Sequence, residues 1–101
     1  MSFPEPLPLK LSPKACQDFI DILRYTGETW GQNQLLTYRD KINDALKAIG
    51  RKPQLGHSRA DVPPTHRGYL IGSHIIVYRI DPDSIGVVRI LHQRMSMTKH
   101  V

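Results

Sequence analysis

Halfway along this chain the spacing of apolar residues changes from helical to strand-like, and that change limits the fold to a few layer arrangements. In the first half, Ala15, Phe19, Ile22 and Leu23 recur at helical spacing, with Cys16 and Ile20 flanking the stripe. Leu35, Tyr38, Ile42, Ala45, Leu46 and Ile49 follow at steps of three, four, three, one and three, an amphipathic stripe. From Arg67 onward the period is two. The segment between, "RKPQLGHSRADVPPTH" (residues 51–66), has no period and three prolines, and reads as a loop. Two helices with one apolar stripe each must bury those stripes on a sheet face, so the expected class is a two-layer α+β domain.

Local signals set the expected boundaries. "LPLKL" (Leu7–Leu11) alternates as a short strand, with Pro8 acceptable near a strand start. Ser12-Pro13 is a helix start, a hydroxyl N-cap followed by proline at the first helical position. "TGETWG" (Thr26–Gly31) is expected to end or interrupt the first helix, and Gly50 to sit as a left-handed residue closing the second before Pro53. Strands are expected over Arg67–Ile71, His74–Ile80 and Ile85–Met95, joined by Gly72-Ser73 and by Asp81-Pro82-Asp83-Ser84. The result is β-α-α-β-β-β: a helical hairpin packed on a mainly antiparallel sheet, with Phe19, Leu23, Tyr38, Ile42, Leu46, Ile76 and Ile90 in the core. Residues 1–101 are expected to form a single domain, with a loose Pro-rich start at 1–6 and a polar tail at 96–101.

A chain of 101 residues is enough for one modest core. No apolar run approaches the ~20 residues of a membrane helix, and "MSFPEPLPLKL" lacks the basic start and apolar block of a signal peptide. A single cysteine excludes an internal disulfide and fits a cytoplasmic protein. Charge is unevenly divided. Residues 1–50 are neutral, with six basic and six acidic side chains, whereas residues 51–101 hold eight basic against three acidic, and all five histidines. The net charge of +5 therefore resides in the second half, and points to an anionic partner.

Several chemistries lack their residues. No two histidines lie at i, i+4 on a helix and there is no C-x-x-C, so no metal site is expected. No serine stands in a nucleophile elbow and no glycine-rich phosphate loop appears, so no catalytic residue and no cofactor are assigned. Cys16 reads as a small core residue, Trp30 as an inter-helix plug or a partner anchor, and Tyr69 and Tyr78 as half-buried strand tyrosines. What remains is basic: Arg67, Arg79, Arg89 and Arg94 on the meander or its edges, with His92 among them. The last strand ends in "RILHQRM". Val88, Ile90, His92 and Arg94 share one face by simple alternation, and Val87, Arg89 and Leu91 the other. Arg89, between Val87 and Leu91, reads as a structural, partly buried and paired arginine. Such a cluster can meet an acidic protein, bind phosphates, or, with His92 as acid or base, cleave RNA.

The order of elements, together with "LSPKACQDF", "YTGETWG", "P-Q-L-G", "GSHIIVYRI" and "VVRILHQRM", resembles the ParE toxins of the RelE/ParE toxin–antitoxin superfamily. The resemblance implies a bacterial, cytoplasmic toxin of a type II module, serving growth arrest and plasmid maintenance. It implies inhibition of DNA gyrase by protein contact rather than by catalysis. It also implies neutralisation by an acidic ParD-like antitoxin in a hetero-oligomer, with no specific nucleic-acid binding and no membrane partner. His92, Arg94 and Arg67 are then the candidates for target binding and toxicity, and Arg67, Arg79 and Trp30 for antitoxin binding. RelE-like ribonucleases carry an arginine early in the second meander strand, where this chain has Ile75, and often end in a tyrosine, whereas this chain has none after Tyr78. Two positions depart from the ParE pattern: Ser96 where aspartate is usual, and Thr65 where glycine is. A RelE-like mRNA endoribonuclease and a basic nucleic-acid-binding module are the alternatives.

Overall fold

A computed structural model describes residues 6–60 and 62–94. The expected loose start, apart from Pro6, and the polar tail fall outside the described residues. The order is β1 (Leu9–Leu11), α1 (Pro13–Trp30), α2 (Gln32–Arg51), a short 3-10 turn (Pro53–Leu55), β2 (His66–Ile71), β3 (His74–Ile80) and β4 (Ile85–His92). The four strands form one sheet in the order β1-β4-β3-β2. β1 runs parallel to β4, and the other pairs are antiparallel. The two helices pack on one face of this mixed sheet, as the change of period requires.

Ser12 caps α1 as expected, its hydroxyl accepting from Ala15 N–H at 3.0 Å. The helix then runs on through "TGETWG" to Trp30. Gly27 is tolerated inside it because Leu35 of α2 packs against its bare Cα; a Cβ there would meet Leu35 Cδ1 at 2.7 Å. Gly31, at φ 92°, makes the break between the helices, which only glycine adopts readily. Gly50 does not close α2 as a left-handed residue. It is helical and buried, and its carbonyl accepts from Leu7 N–H at 3.0 Å where the chain entering β1 crosses it.

The core between helices and sheet holds Ala15, Ile22, Ile42, Ala45, Leu46, Ile49, Ile76, Tyr78, Ile85, Val87 and Ile90, with Phe19 and Tyr38 packed at its margin. Leu23 lies outside this cluster. It lines a surface cleft with Cys16, Phe19 and Ile20, and Cys16 itself is exposed rather than a core residue. Tyr78 is wholly buried, its hydroxyl donating to Pro53 O at 2.6 Å and accepting from Gly56 N–H at 2.7 Å. On the opposite sheet face, Ile75, Val77 and Leu91 cluster with Val62 of the long loop.

Simple alternation fails in β4. The register against β3 slips between Val77 and Tyr78, which pair with Arg89 and Val87 and leave Val88 as the extra residue of a β-bulge. Val87 and Ile90 therefore both reach the helix-facing core, although they are three residues apart. Past the end of β1, α1 takes over the open edge of β4. Ser12 N–H donates to Val87 O at 2.9 Å and its hydroxyl to Val88 O at 2.7 Å. The Asp18 carboxylate accepts from Ile90 N–H at 3.0 Å, from Arg89 Nε at 2.8 Å and from Arg89 Nη2 at 2.9 Å. This carboxylate and the bulge together blunt an exposed strand edge.

Candidate functional site

The end of β4, from Arg89 to His92, leads from the bulge to one end of the sheet. Register places Ile71, His74 and His92 side by side there, on the helix-facing side. The Gly72-Ser73 turn closes this end, and Gln93 N–H donates to Ser73 O at 2.8 Å. The broken end of the helical hairpin arrives from above. Tyr25, Thr26 and Trp30 of α1, Gln34 and Tyr38 of α2, and Ser73, His74 and His92 enclose a groove of about 320 Å³.

Its polar atoms are tightly organised. The Tyr38 hydroxyl bonds His74 Nδ1 and lies 3.3 Å from Ile71 O. Burial raises the Tyr38 pKa, so the phenol stays protonated. Burial, then repulsion by His92, lowers the His74 pKa to about 4, so this ring is neutral at pH 7. One hydrogen bond thus joins the phenol to the neutral ring, beside the Ile71 carbonyl. The His92 ring meets His74 edge to face, with centroids 5.3 Å apart, and its Nδ1 accepts from Arg94 N–H at 3.1 Å. His92 Nδ1 is thereby occupied as an acceptor. Trp30 is 70 % exposed at the rim. It is not a plug between the helices.

His74 also makes stability depend on pH. Its folded pKa lies below the unfolded value of 6.5, so between these the unfolded chain binds the extra proton. Its contribution is complete above pH 6.5 and is lost as pH falls towards 4. Urea unfolding at pH 7, 6, 5 and 4 should show a shallower loss for His74→Gln than for the parent. Equal slopes would mean that the ring titrates normally.

The structure divides the expected basic cluster. Trp30 and His92 share the groove, and Arg94 adjoins it. Arg67 stands opposite Tyr78, which stands opposite Val87, five residues before His92 on β4. That separation is about 15 Å along the strand. Arg67 is half-buried and donates through Nη1 to Gly56 O at 2.9 Å, holding the loop after α2. Arg79 lies at the same end as Arg67, on the opposite face, paired with Asp81 at 3.1 Å. Arg89 is taken up by Asp18, with only 16 % and 14 % of the two side chains exposed. The sequence marks Tyr38 only as a core residue of α2, and gives no site role to His74, Tyr25 or Gln34. The Gly72-Ser73 turn alone pairs Ile71 with His74, but only the bulged register of β4 brings His92 beside them. Among the described residues, no group of three or more His, Cys, Asp or Glu side chains is placed to hold a metal ion. No described helix is long and apolar enough to cross a membrane.

The family model described as "ParE toxin of type II toxin-antitoxin system, parDE" matches residues 9–97. The chain belongs to the ParE toxin family. As a ParE toxin it is the toxin component of a type II toxin–antitoxin module. It is 32% identical to Toxin ParE1 of Mycobacterium tuberculosis over 92 residues, covering 90% of this chain and 94% of that one. It is 29% identical to Toxin ParE1 of Caulobacter vibrioides over 94 residues, covering 93% and 97%. The fold matches a solved structure described as the chromosomal ParDE TA system from P. aeruginosa, with a TM-score of 0.74 at 20% identity, over 85% of this chain and 95% of that one. The ParE chain described here thus spans nearly the full length of its relatives.

Proposed function

We propose that this toxin acts by protein–protein contact on a topoisomerase of the DNA gyrase class, and that an acidic ParD-like antitoxin neutralises it in a hetero-oligomer. The family membership supplies the toxin. The observation that favours contact over cleavage is the distance between Arg67 and the His92–Arg94 end of β4. A ribonuclease built on Arg67, His92 and Arg94 needs all three within reach of one phosphate, the arginines stabilising its charge while the histidine moves a proton to or from the attacking 2′-hydroxyl or the leaving oxygen. Here Arg67 is about 15 Å from that end and committed to the Gly56 carbonyl, so the three residues do not converge on one phosphate. The groove instead offers an exposed tryptophan beside Tyr25 and Tyr38, residue types enriched at protein-binding hot spots. RelE-like cleavage is the second reading, and it draws on the contact of His74 and His92 beside Tyr38. Induction in a bacterial host separates the two. Loss of plasmid supercoiling or appearance of DNA breaks, with mRNA intact, is expected. Site-specific mRNA cuts that precede any change in DNA topology would overturn the proposal.

A further inference from the structure

Where β4 stops, the two residues that follow it are held in place. Gln93 N–H donates to Ser73 O at 2.8 Å, and Arg94 N–H donates to His92 Nδ1 at 3.1 Å. The β2–β3 turn therefore holds Gln93, and the ring of His92 holds Arg94. A histidine ring has a broad choice of terminal side-chain torsion unless its neighbours restrict it. His92 is restricted by His74, its partner across the strands, whose ring it meets at 80°.

Tyr38 of α2 holds both the turn and His74. Its hydroxyl bonds His74 Nδ1 and lies 3.3 Å from Ile71 O, so it joins the end of β2 to the start of β3 across the turn. Its ring stands edge-on to the His74 ring, with centroids 5.5 Å apart. Gly72 makes room for it. At φ 60° the turn favours glycine, and a Cβ there would lie 2.8 Å from the Tyr38 hydroxyl oxygen. Contacts thus run unbroken from α2 through Tyr38, His74 and His92 to the main chain of Arg94.

We propose that Tyr38 is a positioning residue of this toxin: through the Gly72-Ser73 turn, His74 and His92 it sets the direction in which Arg94 leaves the sheet, and so presents that end of β4 in its binding arrangement. The proposal rests on the reading that the His92–Arg94 end meets the target. It gives the Tyr38 hydroxyl a task inside the toxin, separate from any contact of its ring, because that hydroxyl is already engaged by His74 and the turn. A surface set beforehand loses less conformational freedom on binding, so fixing Arg94 raises affinity without adding a contact.

The test uses the full-length toxin. Tyr38→Phe removes the hydroxyl and keeps the ring against Gly72. It should melt within a few degrees of the parent, since water entering the groove can meet the groups it frees. In amide NMR spectra the Arg94 signal should shift, and survival at graded induction should rise at least tenfold. His74→Asn cuts the chain one link later, keeping an acceptor for the Tyr38 hydroxyl but removing the ring that abuts His92, and should do the same. Tyr38→Phe/Arg94→Ala should exceed Arg94→Ala alone by no more than threefold, because residues that act through one another are not additive. Tyr69→Phe, on β2 and outside the groove, is the control, and should leave the Arg94 signal in place and survival within twofold of the parent. A Tyr38→Phe toxin that arrests growth like the parent, or whose Arg94 signal is unmoved, overturns the proposal. So does full multiplication of the two effects in the double variant, which would make Tyr38 an independent contact. A Tyr38→Phe toxin that melts far below the parent and loses toxicity only in proportion would make the residue structural, and also overturns it. If Arg94→Ala alone arrests growth fully, the underlying reading fails and the proposal falls with it, whatever the spectra show.

Discussion

Asp18→Ala is expected to destabilise the fold by about 3–5 kcal/mol, the usual penalty for removing one partner of a buried ion pair. The Asp18 carboxylate serves three donors at once, Nε and Nη2 of Arg89 and the main-chain N–H of Ile90. Alanine removes the carboxylate that meets two nitrogens of a guanidinium only 16 % exposed. It also leaves an edge N–H of β4 unpaired beside the bulge. For a domain of this size the loss corresponds to a fall in Tm of roughly 15 °C or more. Arg89→Ala is expected to be milder, because Asp18 retains the Ile90 N–H and can reach water through the space opened. Asp21→Ala is the control. Its pairing with Arg24 is loose, at 3.9 Å, and both side chains are more than half exposed, so the change should stay within about half a kcal/mol. Urea denaturation of the three variants checks the order. An Asp18→Ala protein as stable as Asp21→Ala would mean that the carboxylate does not organise the strand edge.

The second large effect concerns toxicity. His92 and Arg94 lie beyond the last core residues of β4, at the groove, and Arg94 is exposed. Arg94→Ala should therefore change stability by no more than about half a kcal/mol, while survival after induction rises at least tenfold. His92→Ala should relieve growth arrest to a similar degree, with a modest stability loss from its contact with His74. Trp30→Ala belongs to the same groove and is expected to follow them. Arg67→Ala should behave differently. It frees the Gly56 carbonyl and loosens the loop that Tyr78 also holds, so toxicity should fall only in proportion to stability. Growth curves read beside each variant's Tm distinguish the two patterns. Full arrest by a well-folded Arg94→Ala protein would remove this end of the strand from the effector surface.

The layer order could be read from the sequence because it depends on periodicity, and periodicity is local. The stripes of α1 and α2 and the alternation of β2 and β3 each say which face is apolar, and packing follows. The failures share one physical origin, contacts between residues distant in sequence. Of the two glycines in "TGETWG" Gly31 ends α1 and Gly27 does not, and Gly50 does not close α2 although glycine by itself weakens a helix. Gly27 and Gly50 stay helical because Leu35 and the strand entry at Leu7 press on them. Cys16 flanks the α1 stripe but falls just outside the buried face, as does Leu23. Nothing local announces the bulge at Val88, yet it decides that Val87 and Ile90 share a side. The candidate site was legible only as a list of basic residues. Their division into a groove at one end, an ion pair at the edge, and Arg67 and Arg79 at the far end follows from strand register, which no single segment encodes.

Gyrase supercoiling by the purified toxin is the most direct measure of the central claim, with RNA cleavage followed in the same preparation. Relaxed plasmid, purified gyrase and ATP are incubated with the toxin, with its Arg94→Ala variant, and with toxin preincubated with antitoxin. Parallel tubes hold mRNA with and without ribosomes. Contact-mediated poisoning predicts that the toxin alone blocks supercoiling or traps cleaved DNA, that the antitoxin and the variant abolish this, and that the mRNA stays intact. Unimpaired supercoiling together with cut mRNA, lost in His92→Ala, would contradict it.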